Sequence, residues 1–423
     1  MRPDRRFEVA WCALNLLRNY VPIYAVYALM MQQHGLTPVQ ISLLFILWSL
    51  SALVFEVPSG AVSDRMDRRA VLALSVFIKS AVFLLWLWQP TFAGYAVGFL
   101  LWGFGGSLWS GTAEAYLFER LAAMGATERF RSVYGMGSAA AQVGIALALF
   151  SGGWVFTFGD AVTVWISAAV GLVIGFGIPL CFDHAPRAVR RPRATSESAT
   201  MVGRDELVDT LAVNVAEGSG STASTTSSSP LRAAIVEFRD NMAVQQAALA
   251  IGLGLVFYSC FEEYLPLLFD AAGFNSPVMG FWYGACYVVR AVAMASVGRV
   301  PGLTQRLPPL TALVLAGLAL AAGGGLGAVG LVIGCMLYFA LNGIAEVCIV
   351  NDLQQQQSGA ARATVMSLAR LGILATGPVV YLCIGWLATL ATWSSTVWLV
   401  AAGTTVTAAV LMWRQHLRGP VSG

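Results

Sequence analysis

The chain has 423 residues, of which 57% are hydrophobic and only 11% are charged. An ordinary soluble domain is about 25% charged, so this composition excludes a soluble enzyme, a disordered chain and a nucleic-acid-binding protein. The formal net charge of +3 says little about partners, because the position of the charges along the chain is more informative than their sum.

Twelve apolar segments account for nearly the whole chain, and a helix that crosses a bilayer needs about 20 such residues. They lie at 9–32, 38–61, 69–89, 92–119, 130–154, 159–182, 243–269, 277–299, 308–324, 326–350, 362–388 and 391–413. Residues 308–350 can be divided into apolar segments in more than one way. Polar residues such as Arg18 interrupt the first segment, so we expect a retained helix and not a cleaved signal peptide. We therefore predict an all-α polytopic membrane protein with twelve transmembrane helices.

The basic residues occur in alternate loops of this topology. Arginines occur at 2–6, 65–69, 120–129, 187–239, 299–306, 362 and 414–418, whereas the loops at 33–38, 89–92, 156–160, 270–277, 323–325 and 387–392 contain none. We call these two sides the arginine-rich end and the arginine-poor end. Cytoplasmic loops are rich in basic residues, so both termini are expected in the cytoplasm. The preference for Arg over Lys suggests a high-GC bacterial genome and hence the cell membrane.

One long polar stretch, 183–240, is rich in Ser and Gly, which predicts a flexible cytoplasmic linker. It divides the chain into an N-terminal six-helix bundle, 1–182, and a C-terminal six-helix bundle, 241–423. Short matches in the same order support a duplicated unit. They pair 19–22 (NYVP) with 263–266 (EYLP), 111–114 (GTAE) with 343–346 (GIAE), and 131–133 with 362–364.

The end of the second segment, residues 56–69, reads EVPSGAVSDRMDRR. It resembles the signature between helices two and three of the major facilitator superfamily, in which a glycine is followed four residues later by Asp-Arg and then by a basic pair. Residues 115–120 and 362–367 are similar to further elements of bacterial members. The resemblance implies two pseudo-symmetric six-helix bundles that transport a solute by alternating access.

The resemblance also implies a cytoplasmic gate that holds the halves together when the cavity opens outward. Gly60 is expected to let the second helix approach a neighbour closely. Asp67 stands where the family usually has glycine, and its extra negative charge is expected to weaken or re-route the network. The fifth segment lacks the family's Gly-Pro antiporter signature, which argues against a standard drug/proton antiporter. The gate residues are Gly60, Asp64, Arg65, Arg68, Arg69 and Glu119.

Charged residues within the apolar segments are functional candidates, because each costs at least about 2.5–3.5 kcal/mol in the bilayer core. Arg18 lies four residues before Pro22, which frees its carbonyl group, and Glu262 repeats this spacing before Pro266. Arg18 is expected to contact substrate or to pair with Glu262 or Glu263 as a gate; the alternative is a permanent ion pair for assembly. The candidate substrate-binding or gating residues are Asn15, Arg18, Asn19, Tyr20, Glu262, Glu263, Tyr264 and Arg290.

Glu114 and Glu346 occupy equivalent positions in the two halves. A carboxyl group in a low-dielectric site is able to take up and release a proton as access alternates, so both are candidates for proton coupling. The alternative is a structural role, in which they pair with Arg290 or Arg370. Lys79, the single lysine, is expected to snorkel or to reach Glu56.

These features predict a secondary active transporter of a small organic solute, with proton-coupled efflux of amphipathic compounds as the leading hypothesis. The alternatives are uptake or facilitated transport of an organic anion or other metabolite, and, with less support, a membrane-embedded enzyme or a non-transporting receptor. No metal-binding, nucleotide-binding or nucleophile motif is present. The expected partners are a small-molecule substrate, the lipid bilayer and protons; no cofactor, metal or nucleic acid is expected, and a monomer is predicted.

Overall fold

The computed structural model describes residues 3–183, 249–297, 299–300, 302–355 and 362–417. Beyond residue 183, the predicted linker lies outside these residues. The side chains at 64 and at 353–374 also lie outside the described part of the structure.

The first half of the chain forms seven helices, several of which begin at a polar capping residue. The hydroxyl of Thr37 accepts a hydrogen bond from the Gln40 amide in a capping box, and that of Thr91 accepts one from the Gly94 amide. Such caps satisfy amides that have no partner within the helix. The helices are α1 (Pro3–Asn19), α2 (Tyr27–Gln33), α3 (Pro38–Arg65), α4 (Arg68–Trp88), α5 (Phe92–Ala123), α6 (Phe130–Val155) and α7 (Asp160–Cys181).

The described residues of the second half form eight helices after a π-helical turn at Ala250–Gly254. They are α8 (Val256–Phe261), α9 (Leu265–Ala271), α10 (Ser276–Ser296), α11 (Leu303–Arg306), α12 (Pro309–Gly325), α13 (Gly327–Gln355), α14 (Arg362–Leu390) and α15 (Trp393–Leu417).

These helices account for all twelve predicted crossings. Among the described residues, eight helices are long and apolar enough to cross a membrane. Two shorter apolar helices lie at Pro309–Gly325 and Ala375–Leu390. The first and seventh crossings are each broken into two helices, α1 with α2 and α8 with α9.

The two breaks lie at the matching prolines of the repeat. Helix α1 ends at Asn19, and Pro22 begins a 3-10 turn before α2. Helix α8 gives way to a 3-10 turn at Glu262–Tyr264, and Pro266 lies in the first turn of α9. Proline cannot donate a backbone hydrogen bond, so it is favoured in the first turn of a helix. Other prolines of this chain, Pro58, Pro179 and Pro378, lie inside helices that continue past them. The breaks place the polar residues before each proline inside the protein.

Helices pack mainly within each half, and two pairs of helices form most of the contact between the halves, with a smaller contact between α2 and α9. In the first half α3 packs on α5, α4 on α7 and α1 on α6; in the second half α12 packs on α13 and α15. Between the halves α6 packs on α10 and α3 on α14. The buried core contains many large aromatic side chains, among them Phe45, Trp86, Phe99 and Tyr264.

The contacts that join the halves lie near the arginine-poor end. The Trp393 indole donates a hydrogen bond to Gln32 over 2.6 Å, and the hydroxyls of Ser42 and Tyr264 are hydrogen-bonded at 2.6 Å. A Cβ added at Gly280 of α10 would lie 2.9 Å from the Cα of Gly153 on α6. The two halves are therefore in backbone contact at this end.

Candidate functional site between the two halves

Two cations of the first half lie against aromatic rings. The guanidinium of Arg18, on the last turn of α1, lies 3.9 Å from the centre of the Trp109 ring. The Lys79 ammonium on α4 donates a hydrogen bond to the Tyr24 hydroxyl and lies 5.4 Å from the Trp102 ring. Aromatic faces attract cations, at about 0.5–2 kcal/mol for each contact.

Neither cation has a carboxylate within 4.0 Å among the described residues. The predicted ion pair of Arg18 with Glu262 or Glu263 is therefore not formed in this conformation. Lys79 does not pair with Glu56, whose carboxylate instead accepts a hydrogen bond from Ser110 over 3.4 Å. Both side chains instead contact aromatic rings of the first half, Arg18 that of Trp109 and Lys79 that of Trp102.

Two carboxylates of the second half lie on the 3-10 turn that follows α8. Glu262 accepts hydrogen bonds from the hydroxyls of Tyr258, at 2.9 Å, and Tyr287, at 2.7 Å. Glu263 accepts one from the Tyr27 hydroxyl of α2, which belongs to the first half. Both carboxylates are partly buried, and tyrosine hydroxyls donate to each of them. The Tyr27–Glu263 bond connects a titratable group of one half to the other half.

Arg290 forms an ion pair with Glu346. Its guanidinium also lies 4.6 Å from the centre of the Tyr258 ring, and the charge of Glu262 acts on it as well as that of Glu346. The Nε atom of Arg290 is buried without a hydrogen-bond partner among the described residues. Arg290 is thus paired with Glu346 and lies against the ring of Tyr258, whose hydroxyl donates to Glu262.

The remaining candidates near the breaks have local partners. The side-chain amide of Asn15 donates to the Trp11 carbonyl and that of Asn19 to the Asn15 carbonyl, each over 2.8 Å. Tyr20 accepts a hydrogen bond from Ser151 over 3.2 Å. Tyr264 is fully buried in the closed arginine-poor end and bonds to Ser42. These contacts are typical of groups that stabilise a helix end or the closed contact.

Glu114 and Glu346 have different surroundings although they are equivalent in the repeat. Glu114 is exposed and accepts a hydrogen bond from Tyr134 over 3.0 Å. Glu346 is partly buried and forms the ion pair with Arg290, which is the structural alternative that the sequence left open for it.

The predicted gate residues lie at the arginine-rich end of the first half. Arg68 donates hydrogen bonds to Glu119 and to Ser63, each over 2.9 Å, so the expected acidic partner on α5 is in place. Arg69 donates to the Phe182 carbonyl over 2.8 Å. Arg65 is exposed, and the side chain of Asp64 lies outside the described part of the structure.

Gly60 and Asp67 are the two gate positions for which the resemblance gave a specific structural expectation. An added Cβ at Gly60 would meet nothing within 4 Å, so the close helix approach expected there is not made in this conformation. Asp67 caps α4 by accepting from the Arg69 amide over 3.2 Å and forms an ion pair with the Arg69 guanidinium at 3.1 Å. Asp67 thus contacts Arg69, while Arg68 bonds to Glu119. That Asp67 weakens or re-routes the gate network stays a prediction.

Sequence reasoning did not single out three tyrosines that bind the charged groups. Tyr27 bonds to Glu263, Tyr24 to Lys79, and Tyr287 to Glu262. A readable signal existed for Tyr287, which lies three residues before Arg290 on the same face of α10. Tyr27 had no such signal, because its partner is 236 residues away in the chain.

A family model described as Major Facilitator Superfamily matches residues 12–361. The chain belongs to the major facilitator superfamily. The match spans both halves, so the predicted fold class and family are confirmed. This superfamily member is a secondary transporter of small solutes and a multi-pass membrane protein, and it is not an enzyme.

The chain is similar to one curated transporter over part of its length. The lactose permease of Klebsiella oxytoca is 28% identical over 168 residues, which is 38% of each protein. The matched part therefore spans well under half of the length of this relative.

Solved structures show the same fold over the whole chain. A bacterial homologue of the human lysosomal transporter Spinster, in an inward-facing and unoccupied conformation, has a TM-score of 0.72 at 13% identity, with 100% of both chains covered. The nucleoside transporter NupG has a TM-score of 0.69 at 12% identity, covering 98% of this chain and 99% of its own. A D-xylose-proton symporter has a TM-score of 0.67 at 13% identity, covering 96% of each chain.

Proposed function

We propose that this superfamily member is a proton-coupled transporter in the bacterial cell membrane that exports an amphipathic organic solute. The solute binds between a first half, 1–182, and a second half, 241–423, which rock about it, with 183–240 as a cytoplasmic linker. Both termini face the cytoplasm. The described conformation is then open to the cytoplasm, since the halves are joined at the arginine-poor end.

The observation that carries the coupling is the hydrogen bond from Tyr27 to Glu263 across the two halves. This bond must break for the arginine-poor end to open. A phenol bonds about twice as strongly to an ionised carboxylate as to a neutral acceptor, so the charge on Glu263 changes the stability of the closed end. Proton uptake at Glu263 and the opening of that end are thereby linked.

Glu262, Arg290 and Glu346 extend this link toward the arginine-rich end. Arg290 pairs with Glu346 while the charge of Glu262 also acts on it. When Glu262 is protonated, Arg290 pairs with Glu346 alone. When Glu262 is ionised, its carboxylate competes with that of Glu346 for the Arg290 guanidinium. We therefore assign coupling to Glu262, Glu263 and Glu346, and place Glu114 at the cytoplasmic opening.

Aromatic faces beside the charged groups support an amphipathic solute. Trp109 lies beside Arg18, Trp102 beside Lys79, and Tyr258 beside Arg290. Trp102 is partly exposed and offers apolar contact area next to the charge of Lys79, whereas Trp109 and Tyr258 are buried in this conformation. By their names, the similar transporters carry lactose, nucleosides and D-xylose, which makes hydrophilic solutes the natural comparison.

Proteoliposomes with an internal pH dye test the proposal. We expect an amphipathic solute such as tetraphenylphosphonium or taurocholate to evoke proton flux, whereas lactose, uridine and D-xylose evoke none. Proton flux evoked only by the hydrophilic solutes would overturn the amphipathic assignment. Transport of a solute without any proton flux, for every solute that is transported, would overturn proton coupling.

Glu263→Gln separates coupling from binding in the same vesicles. This variant is expected to lose accumulation driven by a pH gradient while it keeps solute exchange without a gradient. Asp270→Asn is the matched control, because Asp270 is an exposed carboxylate on the adjoining helix α9. Equal gradient-driven accumulation in the wild type and Glu263→Gln would remove Glu263 from the mechanism.

A further inference from the structure

Each break in a crossing helix is held by a side chain from a neighbouring helix of the same half. In the first half, the amide of Ile23 donates a hydrogen bond to the Ser167 hydroxyl of α7 over 3.0 Å. In the second half, the Tyr283 hydroxyl of α10 donates to the Glu262 carbonyl over 2.8 Å. Ser167 and Tyr283 are both buried, so these bonds lie inside the protein.

Ser167 acts as a cap for the first break. Ile23 lies in the first turn of the 3-10 helix that begins at Pro22, and amides in a first turn have no partner within their own helix. The Ser167 hydroxyl accepts from this amide and donates to the Thr163 carbonyl over 2.8 Å. Ile23 is fully buried, so the hydroxyl fixes a backbone group that water does not reach.

Helix α10 holds the second break. Pro266 has no amide hydrogen for the Glu262 carbonyl four residues earlier, and that carbonyl accepts instead from an amide of the 3-10 turn and from Tyr283. One turn further along α10, the Tyr287 hydroxyl donates to the Glu262 carboxylate over 2.7 Å. Helix α10 therefore fixes both the backbone and the side chain of Glu262, the residue next to Glu263.

Each of these breaks carries one partner of the bond between the halves. Tyr27 begins α2 directly after the first break, and its ring packs on Phe45 and Phe99 of the same half, with ring centres 5.8 and 6.2 Å away. Glu263 lies in the 3-10 turn that Tyr283 holds. The Tyr27–Glu263 bond therefore joins two segments that are each fixed within their own half.

We infer that Ser167 and Tyr283 are positioning residues for transport, each of which holds one partner of the Tyr27–Glu263 bond in place when the arginine-poor end closes. A hydrogen bond weakens as its distance and angle depart from the optimum, so a segment that is free to shift makes this bond weaker. The inference rests on the proposed function in one respect, that the bond stabilises the closed end. It is independent of proton coupling and of the identity of the solute.

The test is a double-mutant cycle on the purified protein in lipid nanodiscs, with the native cysteines replaced. Spin labels at Gln33 and Thr392, exposed residues of the two halves, give the ratio of closed to open distances at one fixed pH. Tyr27→Phe is expected to lower this ratio by about 10- to 150-fold, the loss of one hydrogen bond to a charged group.

Ser167→Ala and Tyr283→Phe weaken the same bond without removing it. Each is expected to lower the ratio by about three- to tenfold, as for a bond that has lost half of its strength. In the Tyr27→Phe background both substitutions are expected to leave the ratio unchanged, because the bond through which they act is absent.

Two matched substitutions remove buried hydroxyls that lie away from the breaks. Ser75→Ala removes a hydroxyl that donates to the Gly105 carbonyl of another helix in the first half, and Tyr338→Phe removes one that is hydrogen-bonded to Thr404 in the second half. Both are expected to keep the wild-type ratio. An equal fall of the ratio in these controls would overturn the positioning role, because the loss of any buried hydrogen bond would then open this end.

Two further results overturn the inference while the proposed function stands. In the first, Ser167→Ala or Tyr283→Phe keeps the wild-type ratio; in the second, their effects are the same with and without the Tyr27 hydroxyl. A wild-type ratio in Tyr27→Phe alone contradicts the proposed function, and the inference with it, because the bond then does not stabilise the closed end. Loss of proton coupling in vesicles is a separate result and leaves the inference standing.

Discussion

The glycine at position 280 is the most direct test of the closed arginine-poor end. A Cβ there would lie 2.7 Å from the Leu149 carbonyl oxygen and 2.9 Å from the Gly153 Cα. Both atoms belong to the backbone of α6 and cannot rotate away. To restore ordinary van der Waals contact, α6 and α10 must separate by about 0.7 Å.

We expect Gly280→Ala to destabilise this conformation by about 1–3 kcal/mol, the usual cost of overpacking. The contact lies between the two halves, so the substitution does not destabilise a conformation in which the arginine-poor end is open. A difference of this size shifts the ratio of the two conformations by about 5- to 150-fold.

Electron paramagnetic resonance distances across the arginine-poor end measure the shift. Spin labels at Gln33 and Thr392 report it, since both residues are exposed and belong to different halves. The seven native cysteines are replaced first. Gly280→Ala should enrich the longer distances. Gly177→Ala is the control, because a Cβ there meets nothing within 4 Å. Identical distance distributions in the two variants would refute the reasoning.

Two further substitutions test particular bonds. Tyr27→Phe removes the hydroxyl that bonds to Glu263, a charge-assisted bond worth about 1.5–3 kcal/mol. We expect the distances across the arginine-poor end to lose their dependence on pH; an unchanged dependence would show that Glu263 does not control the closed end. Asp67→Ala removes the cap of α4 and should lower the free energy of unfolding by about 1 kcal/mol. Asp67→Asn retains the cap and should cost less in a thermal unfolding measurement, whereas equal losses would attribute the effect to the ion pair with Arg69.

The alternation of apolar segments and arginine-rich loops determined the number of crossings and the fold class. Both follow from local physical chemistry, since a bilayer requires about 20 apolar residues for each crossing and backbone groups that are satisfied within each segment. The breaks at Pro22 and Pro266 were also readable, because proline acts on its own helix. The motif at 56–69 indicated the family, and the bond from Arg68 to Glu119 has the partner expected from position.

Only the tertiary structure decided how the membrane charges are distributed. Arg18 and Glu262 occupy repeat-related positions with opposite charge, which favoured a pair, yet Arg18 lies on Trp109 and Glu262 binds two tyrosines. Helix packing brings residues together that lie far apart in the chain, such as Tyr27 with Glu263. A single sequence contains the spacing within a helix but not the rotation of one helix against another, and that rotation selects the partner of each charged group.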